Sequence, residues 1–130
     1  MATTAEIAND LVSLCGQGKF WEVIEKHYSP KIVSVEPMPG TPEMPNPMEG
    51  IEAVQGKNKW WADNHEVHAV RIDGPFVGDD QFACRMWLDV TAKHMGNARI
   101  QMEEMCLYTV KDGKIVREEF YYYMPPPPSA

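Results

Sequence analysis

Ile100–Tyr122, IQMEEMCLYTVKDGKIVREEFYY, reads as two β-strands folded back on each other through Asp112-Gly113. An Asp-Gly pair between two runs rich in β-branched and aromatic residues is a hairpin signal, because both central residues of a type I′ turn take positive φ. Two acidic doublets, Glu103-Glu104 and Glu118-Glu119, lie inside these strands among residues that favour burial. The glutamate of each doublet that points inward decides what chemistry the hairpin can do.

The remaining chain extends this hairpin into an α+β pattern. Gln81 to His94 alternates as a long strand, with Phe82, Cys84, Met86, Leu88 and Val90 on one face and Arg85, Trp87, Asp89 and Thr91 on the other. Met95-Gly96 supplies the turn into the hairpin. Upstream, Glu66 to Asp73 alternates as a strand that Gly74-Pro75 ends, placing His68, Val70 and Ile72 together. Thr3-Thr4-Ala5-Glu6 forms a capping box ahead of a helix carrying Ile7, Leu11 and Leu14, which Gly16 and Gly18 stop. Lys19 to about Tyr28 forms a second helix, and Ile32 to Glu36 a short strand. Met48 to Asn64 forms a third helix with Ile51, Val54 and Trp61 on one stripe and Trp60 beside it. Between them, Glu36 to Met48 holds five prolines and three methionines, which rules out a regular helix or central strand. This loop is read either as a flap over a pocket or as a segment packed on a partner.

The chain has 130 residues and a net charge of −7, with a sequence pI near 5.0. This length suits one domain over 1–124, followed by a proline-rich tail over 125–130. The acidic balance argues against a nucleic-acid surface or an anionic membrane surface as partner. Cys15, Cys84 and Cys106 lie in apolar patterns without metal-ligand or CxxC spacing, so buried free thiols in a reducing cytoplasm are expected. No metal or organic cofactor is called for.

Counting outward from a two-residue Asp112-Gly113 turn sets Leu107 opposite Glu118, Met105 opposite Phe120 and Glu103 opposite Tyr122. Counting from a two-residue Met95-Gly96 turn sets Leu88 opposite Glu103, Met86 opposite Met105 and Cys84 opposite Leu107. Directly opposed residues share a face. The inward face then carries Phe82, Met86, Leu88, Met105, Leu107 and Phe120, with Glu103, Glu118 and Tyr122 as its polar groups. Arg85, Trp87, Tyr108 and Tyr121 fall on the opposite, convex face, where a mix of charge and aromatic surface suits a homodimer contact. A one-residue bulge would exchange each glutamate with its neighbour.

A carboxylate among so many apolar groups is paired, protonated or open to a solvent-filled cavity. Desolvation and a second carboxylate both raise a glutamate pKa toward neutrality, as a general acid or base requires. This reading makes Glu118 the acid or base, Glu103 or His68 its partner, and Tyr122 a donor to a developing oxyanion. The pocket wall comprises Trp60, Phe82, Met86, Leu88, Met105, Leu107 and Phe120, with Glu36 at the mouth of the proline loop. The ligand is a small apolar molecule in a cavity of at least a few hundred Å³. The alternatives are structural roles for the two glutamates and His68, a non-catalytic binding protein, and a dimeric interaction module.

The order of elements, the segment Met48-Glu49-Gly50-Ile51-Glu52-Ala53-Val54, and Val110-Lys111-Asp112-Gly113-Lys114-Ile115-Val116 before an aromatic last strand resemble the SnoaL-like branch of the nuclear transport factor 2-like superfamily. The resemblance covers roughly Ala5 to Tyr123. It implies a cone-shaped α+β barrel with a curved antiparallel sheet, a deep apolar pocket under three helices, and a dimer through the sheets. Relatives include polyketide cyclases, limonene-epoxide hydrolases and ketosteroid isomerases, which use acid/base chemistry without a metal or organic cofactor. The last-strand aspartate of the cyclases and epoxide hydrolases falls at Phe120. The hydrolases' Arg and Asp, spaced by one residue, find only half a match in Arg85-Met86-Trp87 and in Trp87-Leu88-Asp89. Glu36 lies near the hydrolases' polar water-holding residue.

Overall fold

The computed structural model describes residues 1–123; the proline tail expected over 125–130 lies outside them. Helices α1 (Thr4–Gly16), α2 (Phe20–His27) and α3 (Ile51–Asn64) cover one face of a six-stranded, curved and open sheet. The strands are β1 (Tyr28–Val35), β2 (Met48–Glu49), β3 (His65–Val77), β4 (Gln81–Ala92), β5 (Ala98–Lys111) and β6 (Lys114–Tyr121), in the order β2-β1-β6-β5-β4-β3. The sheet is mixed, because β1 runs parallel to β6 while the other pairs are antiparallel. Among the described residues no helix is long and apolar enough to cross a membrane.

The local signals act as physical chemistry dictates. Thr3 caps α1, its hydroxyl accepting from the Glu6 N–H while the Glu6 carboxylate accepts from the Thr3 N–H. Asp112 and Gly113 take φ of 52° and 74°, and Lys111 pairs with Lys114 across the turn. Ile7, Leu11 and Cys15 of α1 share one buried core with Phe82, Cys84, Met86, Leu88 and Val90 of β4 and with Cys106, Tyr108 and Val110 of β5. The three cysteines are free and buried.

Two irregularities correct the strand register. Beyond Val110 opposite Ile115, the β5–β6 ladder resumes with Thr109 opposite Arg117, so Val116 is the extra residue of a bulge. At the other end, β4 and β5 are joined by residues 93–97 rather than by a two-residue turn. A 3₁₀ turn at Lys93–Met95 leads into left-handed Gly96 and Asn97, and the ladder closes with Ala92 opposite Ala98. Each irregularity shifts β5 by one residue against its neighbour and so reverses its faces, which is why the two independent counts agreed with each other while both misplaced that strand.

The consequence is a reversal of β5 alone. Glu104, Cys106 and Tyr108 face the helices, opposite Met86, Cys84 and Phe82. Glu103, Met105 and Leu107 face outward; Glu103 is exposed and ion-paired with Arg85, and Met105 is 44% exposed. Tyr108, expected on the convex face, is buried and stacks on Phe82 with ring centroids 4.9 Å apart. Arg85, Trp87 and Tyr121 remain on the outer side, with the Arg71 guanidinium 4.5 Å above the Trp87 ring.

β3 also departs from a simple alternation. Its pairing with β4 slips between Val67 and Ala69, which turns His68 to the exposed face, where Nε2 lies 2.7 Å from the Thr91 hydroxyl. The strand continues past Gly74-Pro75 to Val77 through a second irregularity. These slips bend the sheet and strengthen its twist, leaving a concave space beneath the helices.

The register has a direct stability test. Tyr108→Ala is expected to cost about 3–5 kcal/mol in urea unfolding, as for other buried aromatic truncations. Glu103→Gln is expected to change stability by less than about 1 kcal/mol, as an exposed ion pair should. The opposite order would restore the register in which Glu103 faces the core.

Candidate functional site

The concave space is a cavity of about 180 Å³, smaller than the few hundred Å³ expected. Leu11, Phe20, Trp61, Met86, Leu88 and Phe120 contribute to its apolar wall. Its polar end gathers Glu36, Lys57, Asn58, Glu104, Glu118 and Tyr122. Of the residues singled out from sequence, Glu36, Met86, Leu88, Glu118, Phe120 and Tyr122 come together here. Glu103, His68, Met105 and Leu107 face outward, away from the lining. Phe82 is buried in the core behind Tyr108, and Trp60 is 45% exposed, edge-on to His65 and His94. Trp61, one residue on, provides the aromatic wall instead, packed edge-on against Phe20 and stacked on His65.

β6 delivers Glu118 and, just past its end, Tyr122, on the inward side of the strand with Phe120 between them. β1 delivers Ser34, followed by Glu36, continuing the inward alternation of Ile32. Helix α3 delivers Lys57 and Asn58, which share a face with Val54 and Trp61 at the i, i+3, i+4, i+7 spacing of one helical stripe. These two polar residues on an otherwise apolar stripe are the signal that a sequence reading passed over.

Glu118 is 3% exposed. Its Oε1 accepts from the Tyr28 hydroxyl in a short hydrogen bond, and its Oε2 accepts from the Ser34 hydroxyl at 2.7 Å. Lys57 Nζ lies 3.9 Å from Oε2. Burial pushes the Glu118 pKa upward, opposed first by the Lys57 charge and then by the two hydroxyl donors. Tyr28 and Ser34, one at each oxygen, fix the carboxyl group in place. Burial first, and then Glu118, raise the Tyr28 pKa and keep its phenol protonated.

Lys57 ties the cluster together. Its Nζ donates to Ser34 Oγ at 2.5 Å and to Glu36 Oε1 at 3.1 Å, and sits 5.5 Å from the centre of the Phe120 ring. Tyr122 donates to Glu36 Oε2 at 2.8 Å. Burial first, and then the Glu36 charge, raise the Tyr122 pKa. Asn46 spans the proline loop, accepting from the Glu36 N–H and donating to the Glu36 carbonyl, which fixes the backbone at that carboxylate.

Glu104 differs from the other two carboxyls. Its one side-chain partner is the Cys106 thiol, a weak donor 3.6 Å away. Desolvation, reinforced by the charges of Glu36 and Glu118, raises its pKa to about 7, and Lys57 offsets only part of that. A carboxyl poised near neutrality, half-buried on a cavity wall and free of strong internal partners, can take up or release a proton in the physiological range.

A family model for the SnoaL-like domain matches residues 2–122. A candidate SnoaL-like polyketide cyclase from Mesorhizobium loti, also designated a carbohydrate phosphatase, is 45% identical and superposes with a TM-score of 0.85 over 93% of this chain and 100% of that one. IdmH, a candidate polyketide cyclase from Streptomyces antibioticus, superposes with a TM-score of 0.70 at 18% identity, over 92% and 91% of the two chains. A candidate isomerase from Rhodopseudomonas palustris does so with a TM-score of 0.65 at 15% identity, over 92% and 88%. These last two likenesses concern the fold alone. No curated protein matches the chain. The family model spans nearly the whole sequence, and the chain belongs to the SnoaL-like family.

Proposed function

We propose that this chain is a cofactor-independent acid–base enzyme that moves a proton on a small, single-ring apolar compound bearing a carbonyl group. The observation that carries this reading is Glu104, facing the cavity without a strong hydrogen-bond partner and titrating near neutrality. The role first expected for Glu118 passes to Glu104, because Glu118 is saturated by Tyr28 and Ser34. Cavity size narrows the substrate. An apolar cavity of about 150 Å³ holds benzene, so about 180 Å³ suits one ring with a short substituent rather than a fused polycycle.

In the proposed step, ionised Glu104 removes a proton from the carbon next to the carbonyl. The electron pair moves onto the carbonyl oxygen, where the Asn58 amide N–H, and Tyr122 if its hydroxyl turns from Glu36, would stabilise the enolate. Protonated Glu104 then returns the proton to a different carbon, giving an isomer with no net gain or loss of atoms. The candidate cyclase and isomerase designations of the structural neighbours fit this class of chemistry.

Isomerisation of 3-cyclohexenone to its conjugated isomer, followed by ultraviolet absorbance, tests the reading. Glu104→Gln is expected to lower kcat/KM by on the order of 10²–10⁴-fold, the usual contribution of a positioned general base. Wild-type kcat/KM should rise with pH through about 7 and then level off, because the base works only when ionised. Activity that survives Glu104→Gln, or that has no inflection near 7, would overturn the assignment.

Stability should move in the opposite direction. Folding favours protonated Glu104, so its stabilising contribution is complete below the ordinary value of 4.5 and is lost as pH rises through about 7. Glu104→Gln should therefore be more stable than wild type at pH 8 by roughly 1–3 kcal/mol, an advantage that disappears at pH 5. Glu118→Gln should instead be destabilised by roughly 1–3 kcal/mol, because an amide cannot accept at both oxygen positions. Urea unfolding of both variants at the two pH values measures these differences.

Self-association through the outer face of the sheet is proposed alongside this activity, with Arg85, Trp87, Met105 and Tyr121 at the contact. Met105 and Tyr121 are 44% and 53% exposed on that face. Tyr121→Asp is expected to yield a monomer in sedimentation, and an unchanged association state would remove this face from consideration.

A further inference from the structure

The polar end of the cavity carries more negative charge than it neutralises. Glu36, Glu104 and Glu118 line it against the single ammonium of Lys57. That ammonium is committed to Ser34 and Glu36, with Glu118 at 3.9 Å. Tyr28 and Ser34 donate to Glu118, and Tyr122 donates to Glu36. One ammonium can neutralise only one of these three carboxyls, so each further ionisation leaves an uncompensated negative charge. An unpaired charge in apolar surroundings is costly, and a ligand that brings the opposite charge relieves that cost.

The rest of the lining is aromatic and aliphatic, with Phe20, Trp61 and Leu88 among its groups. Phe20 and Trp61 meet edge to face with centroids 6.2 Å apart, leaving ring surface to pack against a ligand. Asn58 and Trp61 also carry side-chain N–H groups outside the carboxylate network. These can orient a neutral acceptor, but they add no positive charge.

We propose that the cavity selects a small ring compound carrying a protonated amine, with the ring against Trp61 and Leu88 and the ammonium at the Glu104 carboxylate. This specificity rests on the reading that the cavity is the substrate site, and it adds a protonated amine to the carbonyl-bearing ring compound proposed above. It excludes carboxylate- and phosphate-bearing ligands, which would add negative charge to a surplus already present. Glu104 is the acceptor with capacity to spare, because its partner is a thiol alone. The groups that set its charge are Glu36 from the segment after β1, Lys57 from α3, Glu118 from β6 and Cys106 on its own strand.

Three probes of similar shape separate the possibilities: 2-phenylethylamine, 2-phenylethanol and 3-phenylpropanoate, each titrated into the full-length protein by calorimetry at pH 6 and pH 8. The amine stays protonated across this range while Glu104 ionises near 7. At pH 8 the amine is expected to bind about ten- to hundredfold more tightly than the alcohol, as a charge-assisted hydrogen bond allows. Its advantage should shrink at pH 6, and the phenylpropanoate should not bind. Glu104→Gln should abolish most of the amine's advantage while leaving alcohol binding within about twofold of wild type. The alcohol binding as tightly as the amine at pH 8 in wild type, or the phenylpropanoate binding as well as either, overturns the amine assignment and leaves the cavity as a neutral-ligand site. Failure of all three probes to bind overturns the substrate-site reading as well. The wild-type comparison keeps the test valid if the variant does not fold.

Discussion

Lys57 reaches from α3 across the cavity to Ser34, Glu36 and the neighbourhood of Glu118, and the polar end of the fold depends on that reach. Without it, two carboxylates from different strands would face each other in a largely apolar space with no cation to offset them. An uncompensated buried charge is among the most destabilising features a small domain can carry. The ammonium reaches Glu36 and Glu118, and Tyr28, Ser34 and Tyr122 complete the hydrogen bonding of these two carboxyls. Desolvation, with Glu36 and Glu118 adding to it, then raises the third carboxyl, Glu104, to about 7.

The sheet makes this possible by being irregular. A flat ladder from the Asp112-Gly113 turn would send Glu104 to the outer face and Glu103 into the cavity. The extra residue at Val116 and the five-residue connection over 93–97 place Glu104 opposite Met86 instead. The same slips bend the sheet enough to leave open space under the helices. The placement of Glu104 and the shape of the cavity therefore have a common origin in the places where strand pairing is broken.

The fold was legible because its signals are local: the Thr3/Glu6 capping box, the Asp112-Gly113 turn and the alternation of Phe82 through Val90 each depend on neighbouring residues. Met86 and Leu88 on β4 followed from that alternation, whereas Glu118 and Phe120 on β6, and Tyr122 just past it, were placed inward by two turn counts whose one-residue errors cancel. What was not legible was register between strands, since a bulge leaves no obligatory residue type behind. The corrective information was nevertheless in β5 itself. Ile100, Met102, Cys106, Tyr108 and Val110 make one face apolar but for Glu104, whereas Arg99, Gln101, Glu103, Thr109 and Lys111 lie on the other beside Met105 and Leu107, and this pattern outweighs turn counting. Lys57 and Asn58 were missed because a helix stripe was read through its apolar members, although both fall on it. Trp61 was legible on the α3 stripe with Ile51 and Val54, and the wall belongs to it rather than to Trp60 beside that stripe.

Glu104 on β5 is the carboxyl of the concave face whose pKa is raised to about 7. The most direct measurement is the carboxyl titration of Glu104 itself, followed by carbon NMR of protein labelled at glutamate side-chain carboxyls and assigned by comparison with Glu104→Gln. The structure predicts a midpoint near 7 for that resonance. A midpoint at the ordinary glutamate value near 4.5 would contradict the account.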